Sequence, residues 1–228
     1  MSVIVALISN RDGAVASDGR LFGPARLDNG RVTRPATIES NAFDKTFALA
    51  GGKVIGAFSG LMRFSGNTIS KHVSEIATLL LSRECGLQSL AAGLEAEIRN
   101  RLAQIDDQEV IFPCRKLDVL LVAGDNLTRS NMRIVSIRFS PKENAIASET
   151  ETVAADRRNR YYVRGEDKAA AAAARLLADN RAPNKDPAFL KRLTTQAVQI
   201  GIRAAGIHPH GTDPACGGDI FTKHTWYK

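Results

Sequence analysis

Ser2-Val3-Ile4-Val5-Ala6-Leu7-Ile8-Ser9-Asn10-Arg11-Asp12-Gly13-Ala14-Val15-Ala16-Ser17-Asp18 is the stretch on which the fold turns. Residues 3–8 are apolar and rich in β-branched side chains, which suits a strand. A turn cluster, Ser9 to Gly13, follows, and a second apolar run, Ala14 to Ser17, comes after it. Asp-Gly between two such runs is a hairpin signal. Neither run alternates apolar with polar residues, which predicts strands buried on both faces.

Outward from this hairpin, residues 19–42 change character to Gly, Pro, Asn, Arg and Thr with few apolar anchors. They read as a long loop, an insertion at about 21–43, and loops of this length inside a domain are commonly functional. A second hairpin is expected from Lys45–Ala50, the turn Gly51-Gly52 and Lys53–Ser59. Ile69, Val73, Ile76, Ala77 and Leu80 fall on one helical face, and Leu87, Leu90, Leu94, Ile98, Leu102 and Ile105 on another, with a break at Cys85-Gly86. Strands are expected at Leu117–Ala123 and Met132–Phe139, with a weaker one at 146–154. The alanine run from Ala169 into Leu177 predicts a helix, Pro183 and Pro187 bound a linker, and Leu190, Leu193, Ala197, Ile200 and Ala204 mark a last long helix. A short strand, Asp219–His224, closes the series. Tight turns between paired strands predict mainly antiparallel sheets. Two helix pairs, each covering the outer face of a sheet, give an α+β fold with four layers, α-β-β-α, in one domain over residues 1–228. The missing βαβ alternation disfavours a Rossmann fold or a TIM barrel.

With 228 residues, 44% of them hydrophobic and 24% charged, the chain has the make-up of a globular protein and can bury a sizeable core. No apolar run is long enough for a membrane helix. Val3–Ile8 is too short for a signal-peptide core, so a cytoplasmic, unexported protein with no membrane partner is expected. The cysteines, Cys85, Cys114 and Cys216, are odd in number and widely spaced, which argues against a disulfide framework or a zinc ribbon. The four histidines lack ligand spacing; His208-Pro209-His210 reads as a surface loop. Neither a metal nor another cofactor is expected. Net charge is +7, but the basic residues are scattered and aromatics are few, so no nucleic-acid partner is expected.

No GxSxG, HExxH, Walker loop or GxGxxG after a strand occurs. The start of the chain carries the more telling chemistry. An initiator methionine is normally trimmed before a small residue, and removal of Met1 leaves Ser2 with a hydroxyl and a free α-amine on one residue. An α-amine of unperturbed pKa about 8 is partly neutral at physiological pH and can accept the hydroxyl proton. Ser is also simply a common second residue, so this feature alone does not discriminate.

Its company does. Ser2, the run Ala16-Ser17-Asp18-Gly19-Arg20, Asp44-Lys45-Thr46-Phe47, Ala57-Phe58-Ser59-Gly60-Leu61 and Gly211-Thr212-Asp213-Pro214-Ala215-Cys216-Gly217-Gly218-Asp219 resemble, in order, the proteasome β-subunit family of N-terminal-nucleophile hydrolases. The ending Gly218–His224 looks closest to the bacterial HslV branch, while the insertion and the Ser nucleophile are more similar to the betaproteobacterial homologue. The resemblance implies the N-terminal-nucleophile hydrolase fold and a catalytic set. Ser2 would be the nucleophile, Asp18 and Lys45 its charged support, Arg20 a neighbouring basic support and Gly60 the oxyanion-hole N–H. Asp213 would fix the amine, and Cys216 stands where the family has a Ser. Leu61 and Met62, just after Gly60, fall where a substrate-pocket wall would lie. The family's Gly-Ser-Gly run is replaced by Tyr162-Val163-Arg164-Gly165-Glu166-Asp167, of which only Gly165 matches. The resemblance further implies peptide or unfolded-protein substrates and homo-oligomeric stacked rings; no unfoldase partner is indicated. A small-amide hydrolase of the same chemistry and a catalytically idle ring subunit are the alternatives.

Overall fold

β1 (Val3–Ile8) and β2 (Gly13–Asp18) form the expected hairpin, with Ile4 opposite Ser17 and Ile8 opposite Gly13. In the computed structural model the described residues are 2–23, 25–28, 31–81, 86–104, 116–142, 145–156, 158–180 and 186–225. After the hairpin come four short strands, β3 (Leu21–Phe22), β4 (Arg26–Asp28), β5 (Arg31–Arg34) and β6 (Ile38–Ser40). β7 (Thr46–Leu49) and β8 (Val54–Gly60) are joined through Gly51 and Gly52, both at positive φ. β9 (Arg63–Phe64) and β10 (Asn67–Thr68) make a small hairpin that leads into α1 (Ile69–Leu81) and α2 (Leu87–Ala103). Then follow β11 (Leu117–Gly124), β12 (Met132–Lys142), β13 (Ala145–Ala154), β14 (Arg160–Gly165), α3 (Asp167–Asp179), α4 (Pro187–Ala204) and β15 (Ile220–His224).

One sheet has the order β14-β1-β2-β15 and another β13-β12-β11-β8-β7, and every neighbour pair in both is antiparallel. The chain is thus mixed α and β, with four helices among the described residues and antiparallel sheets. The two faces of β1 explain its unbroken apolar run. Val3, Val5 and Leu7 pack with Ala169, Ala173 and Leu177 of α3 and Leu190, Leu193 and Ala197 of α4. Ile4, Ala6 and Ile8 pack instead with Ile55, Ala57, Leu120, Val122 and Ile134 of the five-stranded sheet. That sheet's other face, Leu117, Val119 and Leu121, packs with Ile69, Val73 and Ile76 of α1 and Leu87, Leu90, Leu94 and Ile98 of α2. Each buried Val, Leu or Ile side chain among these contributes about 1.5–3 kcal/mol. α3 is capped by Glu166, whose carboxylate accepts the Ala169 N–H, and α4 by Asp186, with Pro187 at its first position.

The structure departs from the sequence expectations in three places. The insertion is not an irregular loop: β3 pairs with β6 and β4 with β5, so it is a two-part β-ribbon. β14 was not expected, because its residues, Arg160-Tyr161-Tyr162-Val163-Arg164-Gly165, are all half-buried and show no alternation. The β9–β10 hairpin was likewise not foreseen. Cys85, Cys114, Ile105 and Pro183 lie outside the described residues. Among the described residues no helix is long and apolar enough to cross a membrane.

Candidate active site

The β1–β2 register sets Asp18 beside the start of β1, and its carboxylate gathers four donors. Oδ1 accepts the Val3 N–H at 3.0 Å and Lys45 Nζ at 3.1 Å. Oδ2 accepts the Arg20 N–H at 3.3 Å and the Gly217 N–H at 3.1 Å. One side chain thereby ties β1, the segments on either side of the insertion and the loop before β15. Both side chains of the Lys45–Asp18 pair are wholly buried, and Lys45 Nζ also donates to the Arg20 carbonyl at 2.7 Å. Burial pushes the Lys45 ammonium below its ordinary value; the Asp18 carboxylate opposes that shift, and Arg20 adds to it.

Ser2 is 1% exposed, and its Oγ has no hydrogen-bond partner among the described residues. A buried hydroxyl left this way is uncommon, because unpaired polar groups cost about 1–3 kcal/mol. Its carbonyl accepts the Glu166 N–H at 2.8 Å. Gly165 packs against it at φ +129, and a Cβ there would collide with the Ser2 carbonyl. Gly165 and Glu166 therefore hold Ser2 from the β14 side. The sequence offered only the glycine as a signal; the contact depends on the β14–β1 pairing, Gly165 opposite Val3.

Arg20 secures the loop before β15. Its guanidinium donates to the Asn41 side chain at 3.0 Å, to the Pro214 carbonyl at 3.0 Å and to the Cys216 carbonyl at 3.4 Å. Cys216 is buried next to this network, and burial, reinforced by Asp18, pushes its thiol far above the ordinary range. A thiol held neutral is a poor nucleophile. Asp213 is half-buried on the same loop; its carbonyl accepts the His208 N–H at 2.8 Å, and no hydrogen bond joins its carboxylate to Ser2 among the described residues.

Gly60 ends β8 at φ +93, opposite Leu117, where a Cβ would strike the Lys116 carbonyl. Leu61 is buried in the core with Phe58, Phe64 and Ile69, and half-buried Met62 packs against that core while its carbonyl accepts the Ile69 N–H at 3.0 Å. Among the described residues, Asp18, Lys45, Arg20 and the Cys216 loop form one hydrogen-bonded group, which Ser2 joins only through the chain, at the Val3 N–H that Asp18 accepts; Gly60, Leu61 and Met62 belong to the facing sheet and its exit. Among the described residues no cluster of three or more His, Cys, Asp or Glu side chains is arranged to hold a metal ion. The parts that nucleophilic acyl transfer calls for are present: a buried hydroxyl on Ser2, and a buried Lys45–Asp18 pair whose carboxylate also holds the neighbouring Val3 N–H. No family model and no curated protein matches the chain.

Proposed function

We propose that the chain is an N-terminal-nucleophile peptidase of the proteasome type, with Ser2 as nucleophile once Met1 is removed. The observation that carries this reading is the buried, unpartnered Ser2 hydroxyl one residue from Val3, whose amide is held by the same carboxylate that pairs with fully buried Lys45. Three apolar layers, helices against sheet, sheet against sheet and sheet against helices, support the four-layer α-β-β-α reading of the fold. Homo-oligomeric stacked rings that admit peptides or unfolded chains belong to the same proposal.

In this reading Ser2 Oγ attacks the scissile carbonyl, and its proton passes to the Ser2 α-amine. The carbon–nitrogen bond of the peptide breaks, the amine delivers the proton to the departing nitrogen, and water then hydrolyses the acyl-enzyme. Lys45 stabilises the charge developing on Oγ, and Asp18 keeps Lys45 and β1 aligned. Gly60 supplies an N–H to the tetrahedral oxyanion, a donor worth about 3–4 kcal/mol. Arg20 holds the Cys216 loop, Asp213 steadies the amine, and Met62 lies by the substrate. Cys216, kept protonated by burial, does not compete as the nucleophile.

The test is Ser2→Ala. Peptide hydrolysis should vanish while the urea midpoint stays near that of the parent, since a single unpaired hydroxyl is lost. Full turnover in Ser2→Ala contradicts the proposal.

A further inference from the structure

Arg164 lies on β14 opposite Ile4, one residue from the Gly165 that abuts Ser2. Asp118 lies on β11 opposite Ser59, one residue from the Leu117 that pairs with Gly60. These two charged residues therefore stand on the two sheets beside the two halves of the proposed site. The Arg164 guanidinium bridges the gap. Its Nε donates to Ser136 Oγ of β12 at 3.3 Å and stands 3.9 Å from Asp118 Oδ1. Its Nη2 donates to the Tyr162 hydroxyl and lies 3.5 Å from Glu151 Oε2 of β13. One side chain of the four-stranded sheet thus engages β11, β12 and β13 of the other. Asp118 is itself anchored by Arg138 Nε at 2.8 Å and by Ser59 Oγ at 3.5 Å.

Elsewhere the two sheets meet through Ile4, Ala6, Ile8, Leu120, Val122 and Ile134. Apolar contact is non-directional and sets the spacing of the sheets more firmly than their alignment. A planar guanidinium with several acceptors is directional. We propose that Arg164 is a positioning residue that aligns Ser2 on one sheet with Gly60 on the other, an inference that rests on the reading of Ser2 as nucleophile. A misplacement of about 1 Å between reacting groups costs on the order of 100-fold in rate.

The experiment uses the full chain beginning at Ser2 and compares it with Arg164→Met, Arg164→Lys, Asp118→Asn and the Arg164→Met/Asp118→Asn pair. Turnover of a fluorogenic peptide gives kcat and KM, and hydrogen exchange reads the Glu166 amide that is bonded to the Ser2 carbonyl. Arg164→Met should lower kcat on the order of 10-fold or more while KM changes by less than about twofold. It should also speed exchange at Glu166. Arg164→Lys should recover part of kcat, and the Arg164→Met penalty should shrink in the Asp118→Asn background, as coupled residues require. Unchanged kcat, a loss confined to KM, or an undiminished penalty in the double variant overturns the proposal. A parent that shows no Ser2-dependent hydrolysis fails the nucleophile reading instead. In that event Glu166 exchange still decides: protection unaltered by Arg164→Met overturns the positioning role.

Discussion

Gly165 occupies φ +129, a backbone conformation that favours glycine, directly against the Ser2 carbonyl. Gly165→Ala combines backbone strain with a backbone collision, so a loss of at least about 1–3 kcal/mol in stability is expected from urea unfolding. Lys45 and Asp18 were legible as a pair from the family resemblance, but their complete burial was not. Burial changes the expected outcome of mutation. Removing one partner strands a charge, so Lys45→Met should cost about 3–5 kcal/mol in the same assay, and Asp18→Asn/Lys45→Met less than the sum of the two single changes. Turnover should fall for both Lys45→Ala and Lys45→Arg, further for Ala, because Arg keeps a charge but not the shape or the proton exchange of an amine. Near-normal turnover in Lys45→Ala would leave the lysine as a structural partner of Asp18 alone. Gly165 was legible only as the one match to the family's Gly-Ser-Gly run, and the roles of Glu166 and Arg164 escaped the sequence reading because they come from a long-range pairing, β14 on β1, that no local pattern encodes.

The insertion behaves as an element rather than a loop. Its base is tied down: Phe43 N–H donates to the Gly19 carbonyl at 2.9 Å, and Ala36 N–H donates to the His210 carbonyl at 2.6 Å. Phe22 rests on the His208 ring with centroids 4.2 Å apart. Its outer strand, Arg31–Arg34, is exposed throughout. Trimming residues 25–34 to a brief Gly-Ser turn should therefore leave the thermal midpoint nearly unchanged, while removal through residue 40 should lower it by freeing the loop that carries Cys216. The ribbon was unreadable in advance because strands of two to four residues fall below any useful window of periodicity. The same contact gives a pH signature. Burial, with His210 adding to it, depresses His208 to about 4 from an ordinary 6.5. Between those values the unfolded chain binds the extra proton, so the stabilisation present above 6.5 is lost as pH falls through the folded value. His208→Gln should flatten that decline, measured as the difference in urea midpoint between about pH 7 and about pH 5. An equal decline in parent and variant would mean that other groups carry it.

At the scale of the whole molecule, the runs of β1 and β2, which lack apolar–polar alternation, pointed to strands buried on both sides, and the paired helical stripes pointed to what would cover the sheets. Those patterns are strong because each face of each strand has an apolar partner. The proposed ring assembly adds a prediction: gel filtration should show a closed oligomer many times the mass of one chain. Elution as a monomer would reject the ring and leave the chemistry of Ser2 to stand or fall separately. That chemistry is open to a direct reading by peptide-mapping mass spectrometry after treatment with a peptide epoxyketone, an electrophile that needs a hydroxyl and a free amine on the same residue. The chain beginning at Ser2 should carry one adduct, on Ser2, and neither Ser2→Ala nor a chain retaining Met1 should be modified; an unmodified Ser2-initiated chain, or an adduct on Cys216 instead, would contradict Ser2 as the nucleophile.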